Sequence, residues 1–144
     1  MIIRSWKYED ILRISEIEKE CFPGEPWTFR MLASSFESDA FFGVLAEDGG
    51  EIAGYGGVTV ASDSADIDNI AVTEPYRNSG VGTAILGELC SLARSKGAEK
   101  VFLEVRVSNS PALCLYLKNG FKGVHARTRY YTDGEDCLVM SKEL

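Results

Sequence analysis

Histidine is nearly absent from this chain: His125 is the only one, and the four cysteines, Cys21, Cys90, Cys114 and Cys137, form no Cys-x-x-Cys pair. A zinc site draws on clustered Cys and His ligands, so no metal is expected. Cys90 and Cys114 fall inside apolar helical patterns and read as small core residues. Positive charge is also scarce. Fifteen Lys and Arg stand against 22 Asp and Glu, a formal net charge of −7. That speaks against the basic stripe of a nucleic-acid binder. It is compatible with a cationic partner such as a protonated amine, and equally with the plain solubility of an acidic protein. No apolar run approaches the roughly 18 residues of a membrane span, so no membrane partner is expected. The opening residues Met1-Ile2-Ile3-Arg4-Ser5-Trp6 have neither the apolar core nor the cleavage site of a secretory signal. A reducing cytoplasm is the expected home.

What remains is a chain of 144 residues, 45% hydrophobic and 26% charged, which fits a single domain over 1–144. Its periodicity changes along the length. A short strand over Ile2–Arg4 precedes a helix over Tyr8–Cys21, where Ile11, Ile14, Ile17 and Cys21 fall on one face. Pro23-Gly24-Glu25-Pro26 breaks it, and Thr28 N-caps a second helix to Phe36. Extended runs follow at Phe41–Ala46 and Ile52–Val60, joined by the turn Asp48-Gly49-Gly50, then at Ala65–Val72. A helix over Val81–Lys96 ends at Gly97, and a strand over Lys100–Val107 alternates cleanly. Ser110-Pro111 opens a further helix that stops at Asn119-Gly120. Strands over Lys122–Tyr131 and Cys137–Met140 flank the turn Thr132-Asp133-Gly134. The order βααβββαβαββ predicts an α/β layered domain with a mixed sheet, including one parallel pair with a right-handed crossover.

The strongest motif is Arg77-Asn78-Ser79-Gly80-Val81-Gly82, between a strand and a helix start. Glycines there leave backbone N–H groups uncovered, and a helix N-terminus carries roughly half a positive charge. Together these bind phosphate without a lysine. The dinucleotide fingerprint fails because Ile85 stands where its third glycine would be, and no Gly-Lys-Ser/Thr completes a P-loop. The other reading of the glycines is a tight turn with no ligand.

Arg77 to Gly82 matches the Gln/Arg-x-x-Gly-x-Gly/Ala signature of the GCN5-related N-acetyltransferases, and the order of elements resembles theirs along nearly the whole chain. Four stretches are similar to one branch, the RimI-type ribosomal-protein N-terminal alanine acetyltransferases. They are Phe22–Phe29, Asn69-Ile70-Ala71-Val72, Leu103–Asn109, and Arg129-Tyr130-Tyr131 with Asp133–Asp136. The resemblance implies a mixed, mostly antiparallel sheet with a splayed parallel strand pair and helices on both faces. It implies acetyl-CoA as cosubstrate, with its arm along Ile70, Ala71 and Val72. Arg77, Asn78, Ser79, Gly80, Val81, Gly82 and Thr83 would cradle the pyrophosphate, and Asn109 would contact CoA. The acceptor would be a protein N-terminal peptide, with ribosomal protein S18 as the candidate, and the enzyme a monomer or weak dimer.

The resemblance makes Glu104 the base and Tyr116 the acid of a direct transfer, and Tyr130 and Tyr131 the wall of the peptide entrance. Each has a plainer reading. Glu104 could be a strand charge solvated or paired with Arg106. Tyr116, among Leu113, Leu115 and Leu117, could be core. Asn109 could cap a turn, and the two tyrosines could be strand packing. His125 reads as a strand residue, and Cys114 as an inert helical thiol. An acetyltransferase for small amines or lysine side chains, and a non-catalytic acyl-CoA sensor, stay open beside the N-terminal reading.

Overall fold

The computed structural model describes all 144 residues, and the elements follow the expected order. Strand β1 (Ile2–Ser5) leads through a 3-10 turn (Tyr8–Asp10) into α1 (Ile11–Cys21) and α2 (Phe29–Glu37). Three strands follow: β2 (Phe41–Asp48), β3 (Glu51–Ala61) and β4 (Ser64–Val72). Then come α3 (Val81–Ser95), β5 (Lys100–Arg106), α4 (Ser110–Lys118), β6 (Lys122–Arg127) and β7 (Cys137–Glu143). The punctuation residues act as read. Thr28 Oγ1 accepts from Met31 N at 3.2 Å, Gly97 and Gly120 take positive φ just past their helices, and Gly49-Gly50 do so in the hairpin.

One seven-stranded sheet runs in the order β1-β2-β3-β4-β5-β7-β6. Every neighbouring pair is antiparallel except β4 and β5, which are parallel and joined through α3. Their ladder is only three residues long: Ser64 with Lys100, Ala65 with Val101, and Asp66 with Phe102. Beyond Asp66 the two strands part. A bulge in the β3–β4 ladder helps, since Gly57 pairs with Asn69 and Val58 with Ile67, leaving Asp68 without a partner.

Apolar side chains pack on both faces. Ile11, Ile14, Ile17 and Leu32 of α1 and α2 meet Trp6, Phe41 and Tyr55 on one. Val81, Ile85 and Leu89 of α3 meet Val58, Ile67, Val101 and Leu103 on the other, with Tyr116 of α4. Glycine lets α3 lie close: a Cβ on Gly56 would stand 2.7 Å from Leu89 Cδ1. No helix is long and apolar enough to cross a membrane.

Two expectations are corrected. The strand expected to reach Tyr131 ends at Arg127, because Arg129 turns to φ 50° and its N–H is drawn to Asp136 Oδ1 at 2.9 Å. Tyr130 and Tyr131 therefore belong to a loop, both donating their N–H to the Glu135 carbonyl at 3.1 and 3.2 Å. Cys114 is exposed, because α4 turns Tyr116 inward and leaves Cys114 and Leu117 on its outer side.

Candidate active site

The loop before α3 forms as its glycines dictate. Gly80 is the N-cap residue with φ 88°, and a Cβ there would meet nothing within 4 Å. Asn78 also takes positive φ, at 61°. The first bond of the α3 ladder runs from Ala84 N to Gly80 O at 3.0 Å, so the amides of Asn78 to Thr83 are left without an acceptor in the protein. Gly82 serves packing, since a Cβ there would stand 3.2 Å from Leu115 of α4. Arg77 is engaged elsewhere: its Nε donates to the Val72 carbonyl at 3.0 Å and its guanidinium reaches Cys21 Sγ at 3.7 Å.

Where β4 and β5 part, a cavity of about 1340 Å³ passes between them. Ile70 lines it from β4, Glu104 from β5, and Asn109 and Tyr116 from α4. The residues of the loop before α3 lie outside this lining. Glu104 faces away from its buried neighbours Leu103 and Val105. Its partner is not Arg106. Glu104 Oε1 accepts from the Tyr130 hydroxyl at 3.0 Å, and Oε2 lies 3.4 Å from Arg127 Nε. Tyr116 is buried, with its ring 5.8 Å from that of Phe121, and burial pushes its phenol above the usual range. Asn109 caps α4, its Oδ1 accepting from Ala112 N at 3.3 Å.

Two loops that line the cavity are tied together. Arg106 holds Asp133 at 2.8 Å and Glu135 at 3.0 Å, and its guanidinium stacks 4.0 Å from the Tyr131 ring centre. The same guanidinium lies 3.8 Å from Glu25, in the segment between α1 and α2. Glu25 in turn accepts from the Thr132 N–H at 2.9 Å and from the Thr132 hydroxyl. The Tyr130–Tyr131 loop is thus latched to the Pro23–Trp27 segment, and both line the cavity.

Sequence reasoning missed a buried carboxylate. Glu18 is 1% exposed, lines the cavity, and accepts from Trp27 N at 2.8 Å and from the buried Tyr55 hydroxyl at 2.5 Å. Desolvation raises its pKa. Asn69 approaches it without hydrogen-bond geometry, and both polar atoms of the Asn69 amide are buried without a partner. The signal was present: Glu18 follows Ile14 by four residues, on the apolar stripe of α1. Two aspartates of β4 also line the cavity. Asp68 accepts from Thr59 Oγ1 at 2.5 Å and is pushed up to about 6 by burial, while Asp66 is raised by burial and by the charge of Glu104.

Comparison with known proteins shows the family and agrees with the fold. The family model described as the acetyltransferase (GNAT) family matches residues 11–121. An N-alpha-acetyltransferase of Sulfurisphaera tokodaii is 36% identical over 156 residues, covering 99% of this chain and 92% of its own. The ribosomal protein bS18-alanine N-acetyltransferase of Escherichia coli K12 is 34% identical over 119 residues, covering 81% of this chain and 80% of its own. The crystal structure of the ribosomal-protein-S18-alanine N-acetyltransferase from Escherichia coli superposes with a TM-score of 0.88 at 31% identity, over 99% of this chain and 92% of that one. This chain belongs to the acetyltransferase (GNAT) family and is an N-acetyltransferase.

Proposed function

We propose that the chain carries an acetyl group by direct transfer from acetyl-CoA to the α-amine at a protein N-terminus, with the N-terminal alanine of ribosomal protein S18 as the first acceptor to try. The observation that carries this reading is one cavity, opened where β4 and β5 part, with Glu104 and Tyr116 both in its lining. The fit to acetyl-CoA rests on the unbonded amides of Asn78 to Thr83 and on the open space over Gly80. Bound there, acetyl-CoA supplies an activated thioester. Along β4, Ile70, Ala71 and Val72 would hold its arm, since their outer edge has no strand partner. Asn109 would add a contact through its amide nitrogen, its oxygen being used in the cap.

Glu104 takes the first proton of the arriving ammonium and passes it to solvent. Tyr116, kept protonated by burial, returns the second to the departing sulfur. No covalent acetyl-enzyme is needed, and exposed Cys114 is not in the cavity lining. An α-amine, with an ordinary pKa of about 7.7–8.0 against about 10.4 for lysine, asks little of a single carboxylate. The hydrogen bond of Glu25 to Thr132 fixes the wall beside Tyr130 and Tyr131 where the acceptor would lie. Relatives named for bS18 alanine and for N-alpha acetylation support the same acceptor. Four free thiols suit a cytoplasmic home.

Mass spectrometry of products decides it. With acetyl-CoA, a peptide starting with free alanine should be acetylated at its α-amine. The same peptide with a blocked N-terminus and a free lysine should react far more slowly. Equal lysine modification, or a preference for polyamines, overturns the N-terminal assignment.

A further inference from the structure

Asp66 is the last residue of β4 that pairs with β5, opposite Phe102, and Glu104 lies two residues further along β5, past the point where the strands part. Ala65 and Ile67 are buried in the α3 core, so Asp66 faces the opposite way. Glu104 faces that way too, between buried Leu103 and Val105. Two carboxylates therefore stand diagonally across the opening on one sheet face, and both line the cavity. They feel each other, since the charge of Glu104 adds to burial in raising Asp66.

Seven carboxylates line the cavity against two arginines. Arg106 is already held by Glu25, Asp133 and Glu135, and Arg127 lies on Glu104. Of the seven, Asp66 is the one with neither a counter-ion nor a hydrogen bond, since Glu18 and Asp68 accept from Tyr55, Trp27 and Thr59; its charged neighbours are Glu104 and Asp68, and β3 presents only Thr59 to it. A second observation points to a polar ligand. Three residues along β4 on the same face, the Asn69 amide lines the cavity, buried and unpartnered, where such groups are ordinarily satisfied.

We propose that Asp66 is the second carboxylate of the acceptor site, holding the incoming ammonium while Glu104 removes its proton; this rests on the reading of the chain as an amine acetyltransferase for N-termini. An ammonium has three N–H donors and meets one carboxylate on each side of the opening. One proton passes to Glu104 and on to solvent. A second leaves nitrogen as the C–N bond forms and the C–S bond breaks, and reaches sulfur through Tyr116. Asp66 stays ionised throughout and transfers nothing.

Asp66→Asn and Asp66→Glu test this, with steady-state kinetics on an N-terminal alanine peptide at pH 6.5 and pH 9. For Asp66→Asn the peptide KM should rise at least about tenfold at the lower pH, the scale of one charge-assisted hydrogen bond. The deficit should shrink at the higher pH, where the neutral amine prevails. The KM for acetyl-CoA should not move, and Asp66→Glu should restore most of the loss. The N-acetylated product, which has no ammonium, should bind wild type and Asp66→Asn alike. An unchanged peptide KM, or a deficit that persists at pH 9 and extends to the acetylated product, overturns the proposal. If wild type ignores N-terminal peptides and accepts another amine, the N-terminal reading fails, and the same comparison on that amine still decides Asp66.

Discussion

Glu104 is engaged on both oxygens, by Tyr130 and by Arg127, and each oxygen keeps a lone pair for an arriving amine. Glu104→Gln keeps the shape and removes the basicity. Turnover should fall by about 10²–10⁴-fold, the usual worth of general-base assistance. Acetyl-CoA affinity, read by calorimetry, should hold, and the rate deficit should narrow as pH rises and free amine becomes abundant. Gly80→Asp tests the other end of the site. It sets a carboxylate beside the unbonded amides, where space is open although the φ of 88° strains any side chain. Acetyl-CoA affinity should drop steeply while circular dichroism stays that of the wild type. Strand alternation gave the direction Glu104 faces, and the glycine pattern gave the turn at Gly80; the roles of both came from the resemblance. Glu18 was harder, because a charge on an apolar stripe reads as an exception until Tyr55 and Trp27 are brought to it by α1 packing on β3.

Among the elements, α4 carries the clearest double duty. Asn109 was open between cofactor contact and cap, and the cap is there. Asn109→Ala should lower stability by about 1 kcal/mol, a fall of roughly 4 °C in Tm. Asn109→Ser keeps a capping oxygen and loses the amide donor, so Tm should hold while acetyl-CoA affinity falls. Unchanged affinity in the serine variant would leave Asn109 with the cap alone. The Tyr130 loop is the element the sequence misdrew. Its residues suit a strand, and nothing local says that Arg129 will turn toward Asp136 or that Arg106 will hold Asp133 and Glu135. Those contacts span 7 to 29 residues, beyond any periodicity. Arg106→Gln should speed amide exchange across Tyr130–Asp136 and raise the peptide KM more than it lowers kcat. Equal exchange in the two proteins would remove Arg106 as the holder of the loop.

For the whole molecule, the buried acids set how stability follows pH. Asp68 has a folded pKa of about 6 against 3.8 when free. It binds a proton more tightly folded than unfolded, so its contribution is best below pH 4 and is lost as pH rises through 6. Asp10 works oppositely: Arg4 holds its carboxyl low, so its stabilisation is present at neutral pH and disappears in acid. Asp68→Asn should therefore raise stability at pH 7.5 by on the order of 1–3 kcal/mol and do little at pH 4. Thermal unfolding at the two pH values checks it, and an equal shift at both would break the link to the proton.

The short β4–β5 ladder also has a mechanical meaning. The sheet is two plates, β1 to β4 and β5 with β7 and β6, riveted at three residue pairs, while β3–β4 holds eight and β5–β7 seven. Load applied across the plates has one weak line to follow, and the crack starts at Asp66 and Phe102. The crossover through α3 then acts as a tether that keeps the halves from separating. Pulled between the exposed Glu51 of β3 and Lys122 of β6 in an optical trap, the molecule should yield first in a short, low-force step that leaves each plate intact, and should snap shut when the force is released.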